Sequence, residues 1–201
     1  MSNKLLSKLF PKPYVGMTDE ELMKLIQANN QEAFNELYFR YKVPLYSYFF
    51  GLVNKTIAEE LLQETFLKIV NKRDSFRFES QVKTWIWTIA KNTLRDQWRS
   101  VDHKMRNSFE QLSSEEGEEN YSHQSETQEE ALLKKVTLVQ LKTCADELPD
   151  QQKEIVYLHI QSELSNQEIA NLTGIGVGAV KSILFRSKEK LIECFKRGGH
   201  L

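Results

Sequence analysis

No apolar run in this chain approaches the roughly eighteen residues that a membrane-crossing helix needs, so no spanning segment or stable membrane insertion is expected. Cysteine is nearly absent. Cys144 and Cys194 are the only two, with no metal-ligand spacing around them and no partner motif. They read as buried thiols of a reducing compartment, which makes the expected location cytoplasmic. Histidine is sparse too: His103, His123, His159 and His200 are scattered, without HExxH or a Cys/His cluster, so no metal and no cofactor is expected. A phosphate-cradling glycine loop and a nucleophile–base constellation are also missing, which argues against an enzyme. The opening MSNKLLSKLFPKPYVG carries a short Leu/Phe pattern, but Pro11 and Pro13 cut it off and no small-residue cleavage site follows. Residues 1–16 therefore read as an extension.

What is present is ordinary soluble-protein composition, 40% hydrophobic and 27% charged, in a chain of 201 residues that has room for two small domains. The net charge of −1 conceals segments of opposite sign. Between Lys68 and Arg106 ten Lys or Arg stand against four acids, whereas Asn107 to Glu130 holds eight Glu and no Lys or Arg. The first stretch is a candidate polyanion surface. The second is too polar to fold alone and reads as an acidic linker over 103–130.

Nearly every periodic segment is helical, which predicts an all-α chain of two small helical domains about that linker. Thr18 and Glu21 form a capping box before Leu22, Leu25 and Ile26. Gln31 opens a helix bearing Phe34, Leu37, Tyr38 and Tyr41, which Pro44 should bend or restart. Thr56 and Glu59 are read as the cap of TIAEELLQETFLKIV, NKRDSFRFESQ as a loop, and a long helix as running from about Val82 to near Arg99. These make a first bundle over 17–102. A helix from about Thr127 to Glu147 then leads into a second domain over 131–201.

That second domain contains LSNQEIANLTGIGVGAVKSILFRSKEKL, two helices joined by a tight turn. Ser165 and Glu168 make a capping box, and Gly174 supplies the positive φ that stops the first helix. Ala170, Gly174, Ile175 and Val180 stand where a helix-turn-helix needs a small residue, a permissive turn and two buried contacts. Val180, Leu184 and Leu191 form the packing stripe of the second helix. Lys181, Ser182, Phe185 and Arg186 lie on or beside the other face, where cations suit phosphates and Phe185 suits a thymine methyl or base edge.

A second candidate surface lies on VKTWIWTIAKNTLRDQWRS. Thr84, Thr88, Lys91, Asn92, Arg95 and Arg99 share one stripe, while Val82, Trp85, Ile86 and Ile89 pack inward and Leu94 and Trp98 cover a flank. In the preceding loop, Phe76, Arg77 and Phe78 have no core period, and aromatics beside Arg are what unpaired bases stack on.

LLQETFLKIV, RDSFRFES, TWIWTIAKN, LPDQQKEIVYL and IGVGAVKSILFRSKEKL together resemble a bacterial RNA polymerase sigma factor of the compact extracytoplasmic-function group, over about residues 17–195. The resemblance implies core RNA polymerase and promoter DNA as partners, with an anti-sigma protein as a further one. It places core-polymerase contacts at Glu60, Leu61, Gln63, Glu64 and Phe66, although Leu61 and Phe66 read equally well as core. It gives capture of a −10 base to the loop from Arg73 to Ser80, with Phe76, Arg77 and Phe78, and tracking of the melted strand to Lys91, Asn92, Arg95 and Arg99. Reading of the −35 duplex falls to Lys181, Ser182, Phe185 and Arg186, with Lys188 as a backbone contact. Phe78 stands where the family commonly has Gly and Val82 where it usually has Phe. Ile183 and Lys188 occupy positions often held by Arg. A stand-alone helix-turn-helix regulator and a non-DNA adaptor are the other classes the residues allow.

Overall fold

The computed structural model describes residues 14, 16–107 and 138–198, and all regular elements among them are helical. They are α1 (Asp19–Gln27), α2 (Gln31–Leu52), α3 (Lys55–Lys72), a 3-10 turn (Arg73–Ser75) and α4 (Val82–Asn107). After 108–137 come α5 (residues 138–145), α6 (Asp150–Ser162), α7 (Asn166–Thr173) and α8 (Val177–Arg197). The acidic segment and the Thr127/Glu130 helix start lie outside the described residues.

Local chemistry explains the element ends. Both capping boxes form: Thr18 and Ser165 each accept from the backbone N–H of the Glu three residues on, and that Glu accepts from the cap's own N–H. Gly174 takes φ 76° and closes α7. Two expectations are corrected. The cap of α3 is Asn54, whose Oδ1 accepts from the Ile57 N–H at 3.0 Å, so Thr56 and Glu59 lie inside the helix rather than at its start. Pro44 neither ends nor restarts α2, which runs through it as 22 residues. Packing on both sides holds the helix there despite the missing backbone donor.

The aromatic residues build the first bundle. Tyr48 meets Trp87 edge to face at 5.4 Å, and Phe34, Tyr38 and Phe66 form a second aromatic group between α2 and α3. Arg40 ties the chain entry down, donating to the Met17 and Tyr14 carbonyls and pairing with Asp19 at 2.9 Å. Tyr41 donates to the other Asp19 oxygen, and burial followed by that carboxylate pushes its phenol well above the ordinary value.

The two helical groups share a hydrophobic seam. Tyr157 of α6 fills the notch that Gly51 leaves on α2, and a β-carbon at Gly51 would meet the ring at 2.2 Å. Lys142 donates to the Phe50 and Val53 carbonyls, closing the C-terminal end of α2. The cysteines are corrected as well. Cys144 and Cys194 are buried but bonded to each other as a disulfide, because the last turns of α8 meet the end of α5 and bring residues 50 apart in sequence together.

Candidate nucleic-acid and polymerase surfaces

Helix α3 divides sharply between two faces. Leu61, Leu62, Thr65, Phe66 and Ile69 face the core, so Leu61 and Phe66 are not free to touch a partner directly. Glu60, Gln63 and Glu64 are exposed on the opposite edge. One turn on, Leu67 stands 63% exposed, an apolar contact residue that the sequence reading did not single out. Its signal was there: it is the one leucine of the run out of phase with the buried set. Lys68 borders this edge, bridging Glu64 at 2.8 Å and Asp96 at 3.4 Å.

The loop after α3 is pinned from α1. The Gln27 side-chain amide donates to the Arg73 carbonyl at 2.8 Å and to the Phe76 carbonyl at 2.9 Å, and Glu20 accepts from the Val82 N–H at 3.1 Å. Arg73 turns back into the protein, donating to Asn29 Oδ1 at 2.7 Å and to the Val70 carbonyl. It is therefore spent on the fold. Phe76 corrects the view that this loop gives the core nothing. It is only 6% exposed and lies against Trp85 at 5.1 Å. Arg77, Phe78 and Ser80 are exposed.

On α4, Val82, Ile86, Trp87, Ile89, Ala90 and Leu94 are buried. Trp87 went unread as core because its stripe runs beside the counted one. The polar stripe is covered unevenly. Thr84 Oγ1 donates to Glu168 at 3.1 Å, and Lys83 donates to the Glu163 carbonyl at 3.1 Å, so the start of α4 rests on the α6–α7 corner. Lys91 faces Glu154, whose carboxyl is raised by burial, with Lys91 and Tyr48 opposing that rise. Lys91 and Asn92 are half-buried, while Arg95 and Arg99 are exposed.

In the helix-turn-helix, Ala170 and Val180 are buried where α7 crosses α8. Glu168 is held below the ordinary carboxylate range by the Ser165 hydroxyl and backbone N–H. Lys181, Ser182, Phe185, Arg186 and Lys188 all lie on the open face of α8, and Phe185 is 66% exposed. Ser182 Oγ donates to the Gly178 carbonyl and Arg186 Nε to the Ser182 carbonyl, both within α8, and the face is exposed among the described residues. Ile183 is buried, so it is a packing position and not a missing phosphate contact.

Two family models match the chain. Sigma-70 region 2 covers residues 37–103, and Sigma-70, region 4 covers residues 138–191. This chain belongs to the sigma-70 family. A relative, the ECF RNA polymerase sigma factor BldN of Streptomyces coelicolor, is 29% identical over 85% of this chain, which spans 63% of that protein's length. The ECF RNA polymerase sigma-E factors of Haemophilus influenzae and Escherichia coli are each 28% identical over 87% of this chain, and cover 94% and 93% of those proteins. The structure of RpoE from Bartonella quintana in complex with the anti-sigma factor NepR matches with TM-score 0.62 and 25% identity, over 81% of this chain and 96% of that one. CnrH in complex with the cytosolic domain of CnrY matches with TM-score 0.60 at 20% identity, over 89% and 97%, a likeness of fold.

As an extracytoplasmic-function sigma factor, the chain serves promoter-specific transcription initiation, and sigma factors in general are DNA-binding, non-enzymatic initiation factors. Among its described residues no single helix is long and apolar enough to cross a membrane. In this sigma factor region 4 packs onto region 2 through α6, so the early part of the α4 stripe is partly covered while the α8 face stays open.

Proposed function

We propose that the sigma factor binds core RNA polymerase through the exposed α3 edge of Glu60, Gln63, Glu64 and Leu67, and sets two DNA contact sites at a fixed separation. Residues 17–102 act as the polymerase- and −10-binding unit, and 131–201 as the −35-binding unit. The loop with Arg77, Phe78 and Ser80, followed by Lys91, Asn92, Arg95 and Arg99, holds the melted −10 strand. Phe76 supports that loop from inside the core. Lys181, Ser182, Phe185 and Arg186 read the −35 duplex in the major groove, with Lys188 on the backbone.

The observation that carries the reading is Phe185, an aromatic ring left two-thirds exposed among cations on the second helix of a helix-turn-helix. Burying such a ring against base edges recovers apolar area that the free protein leaves in water. Strand opening follows from mass action: each base stacked on protein contributes roughly 1–3 kcal/mol, enough over several bases to offset unpairing without ATP. The chain itself performs no covalent step. Its partners are then core polymerase, promoter DNA and an anti-sigma protein, the last by extension from the RpoE–NepR complex. Run-off transcription on genomic templates, with purified core polymerase with and without this chain, tests the proposal. Discrete starts that need the chain are the expected result. Failure to co-elute with core, or starts independent of the chain, would overturn it.

A further inference from the structure

Helix α1 holds the loop between α3 and α4 at both of the loop's ends. At the first end the Gln27 amide nitrogen donates to the Arg73 carbonyl at 2.8 Å and to the Phe76 carbonyl at 2.9 Å, so one side chain closes the loop's opening turn. Just past it Asn29 takes φ +62°, a region that Asn enters more readily than most residues, and its Oδ1 accepts from Arg73 Nη2 at 2.7 Å. At the far end Glu20 Oε1 accepts from the Val82 N–H at 3.1 Å, where α4 begins. Glu20 and Gln27 stand two helical turns apart on α1, about 10 Å along its axis. Between the two holds, Arg77 to Gln81 are irregular and exposed. A stretch with so little buried surface takes its shape from its ends rather than from its own packing. Helix α1 does not depend on the loop in return. Leu22, Met23 and Ile26 bury its inner face, Thr18 and Glu21 cap it, and Asp19 pairs with Arg40 of α2 at 2.9 Å.

We propose that Gln27 is a positioning residue for strand capture, with Glu20 as its counterpart at the other end, so that α1 is the splint that fixes the shape the loop presents to the melted strand. The inference rests on the reading that this loop meets the −10 strand, and it gives neither side chain a contact with DNA. Both act through the loop backbone, and what they contribute is preorganisation: a loop already in its binding shape pays less to bind. Gln27 is half-buried, so water replaces its two donated bonds poorly. Its partners are both carbonyls, which makes the site selective for a donor. Gln27→Met keeps the length and removes both donors. Gln27→Glu keeps the shape and sets a carboxylate against two carbonyls. Gln27→Lys restores donors. At the other end Glu20→Gln keeps an acceptor for the Val82 N–H, and Glu20→Met does not.

The test measures each variant as holoenzyme on a template with a premelted −10 bubble, from a promoter mapped by run-off transcription. Gln27→Met should bind it about 5- to 150-fold more weakly than wild type, the range for two lost hydrogen bonds. Gln27→Glu should bind at least as weakly, and Gln27→Lys should recover most of the loss. Glu20→Gln should match wild type, and Glu20→Met should fall by about 2- to 10-fold, for one bond. Core co-elution and −35 duplex binding should stay at wild type throughout. In the free chain, hydrogen exchange should quicken in the loop for Gln27→Met while α2 and α3 exchange as before. Wild-type affinity of Gln27→Met for the premelted template would refute the proposal. Equal losses in core co-elution and premelted binding, together with faster exchange in α2 and α3, would refute it too and leave Gln27 as a tie for the fold. If wild-type holoenzyme neither opens the promoter nor binds the bubble, the −10 reading fails first and takes this proposal with it.

Discussion

Breaking the Cys144–Cys194 bond gives the sharpest stability test. The bond joins α5 to the last turns of α8 across a sequence separation of 50, and both sulfurs are buried. By loop-closure entropy, a cross-link of that span disfavours the unfolded chain by about 4 kcal/mol. The neighbouring Arg197–Glu147 ion pair, at 2.7 Å, cannot substitute, because both side chains are at least half exposed and water screens the pair. For a chain of this size each kcal/mol moves the melting temperature by about 2–4 °C, so reductant should lower Tm by about 8–16 °C. Calorimetry of the oxidised chain with and without dithiothreitol reads this, with thiol titration to confirm the redox state. Cys144→Ala, Cys194→Ala and the double variant should melt at nearly the same reduced temperature and ignore reductant, since each removes one shared bond. A wild-type Tm indifferent to reductant, together with additive alanine effects, would refute the reasoning. Below the lowered Tm, −35 duplex binding should persist, because α7 independently holds the first turns of α8.

Other outcomes follow from the same contacts. Glu60→Lys with Gln63→Lys should weaken co-elution with core polymerase while circular dichroism stays unchanged, since both side chains are exposed. Phe185→Ala should relax discrimination at one upstream base by about 1–3 kcal/mol, whereas Lys188→Ala should weaken all sequences alike and reduce the salt slope in fluorescence anisotropy. Gly51→Ala should strain the seam, because the new β-carbon would overlap the Tyr157 ring; overpacking of this kind costs about 1–3 kcal/mol, read as faster proteolysis of α6. Ser165→Ala should cost about 1 kcal/mol of α7 stability and return Glu168 toward its ordinary pKa, measured by NMR titration. The sign for Glu168 is that of a depressed carboxyl: its contribution is complete above its ordinary value near 4.5 and is lost as pH falls through the lower folded value.

The capping boxes and the turn were legible in the sequence because they are local: Thr18 acts on Glu21 and Ser165 on Glu168, each three residues on, and the Gly174 N–H closes on the Ala170 carbonyl four residues back. Helical period likewise separates the buried Val180 and Leu191 from the open Lys181, Phe185 and Arg186 on α8. Period fails where two readings of one stripe are available. Leu61 and Phe66 fit a partner face and a core face equally well by spacing, and only packing against α2 decides for the core. The loop defeats period altogether. Phe76 and Phe78 are two residues apart and chemically alike, yet one is buried against Trp85 and the other is turned outward by a positive φ that no residue pattern announces. Long-range partners were the least visible. Nothing in the sequence near Gly51 names Tyr157, nor does Thr84 name Glu168, and the disulfide depends on the last turns of α8 meeting the end of α5. The seam has a functional consequence that local reading could not supply. It engages the start of α4 while leaving the outer face of α8 exposed, so on the proposed assignment duplex reading by α8 would precede strand capture by α4, and the two sites need not become available together.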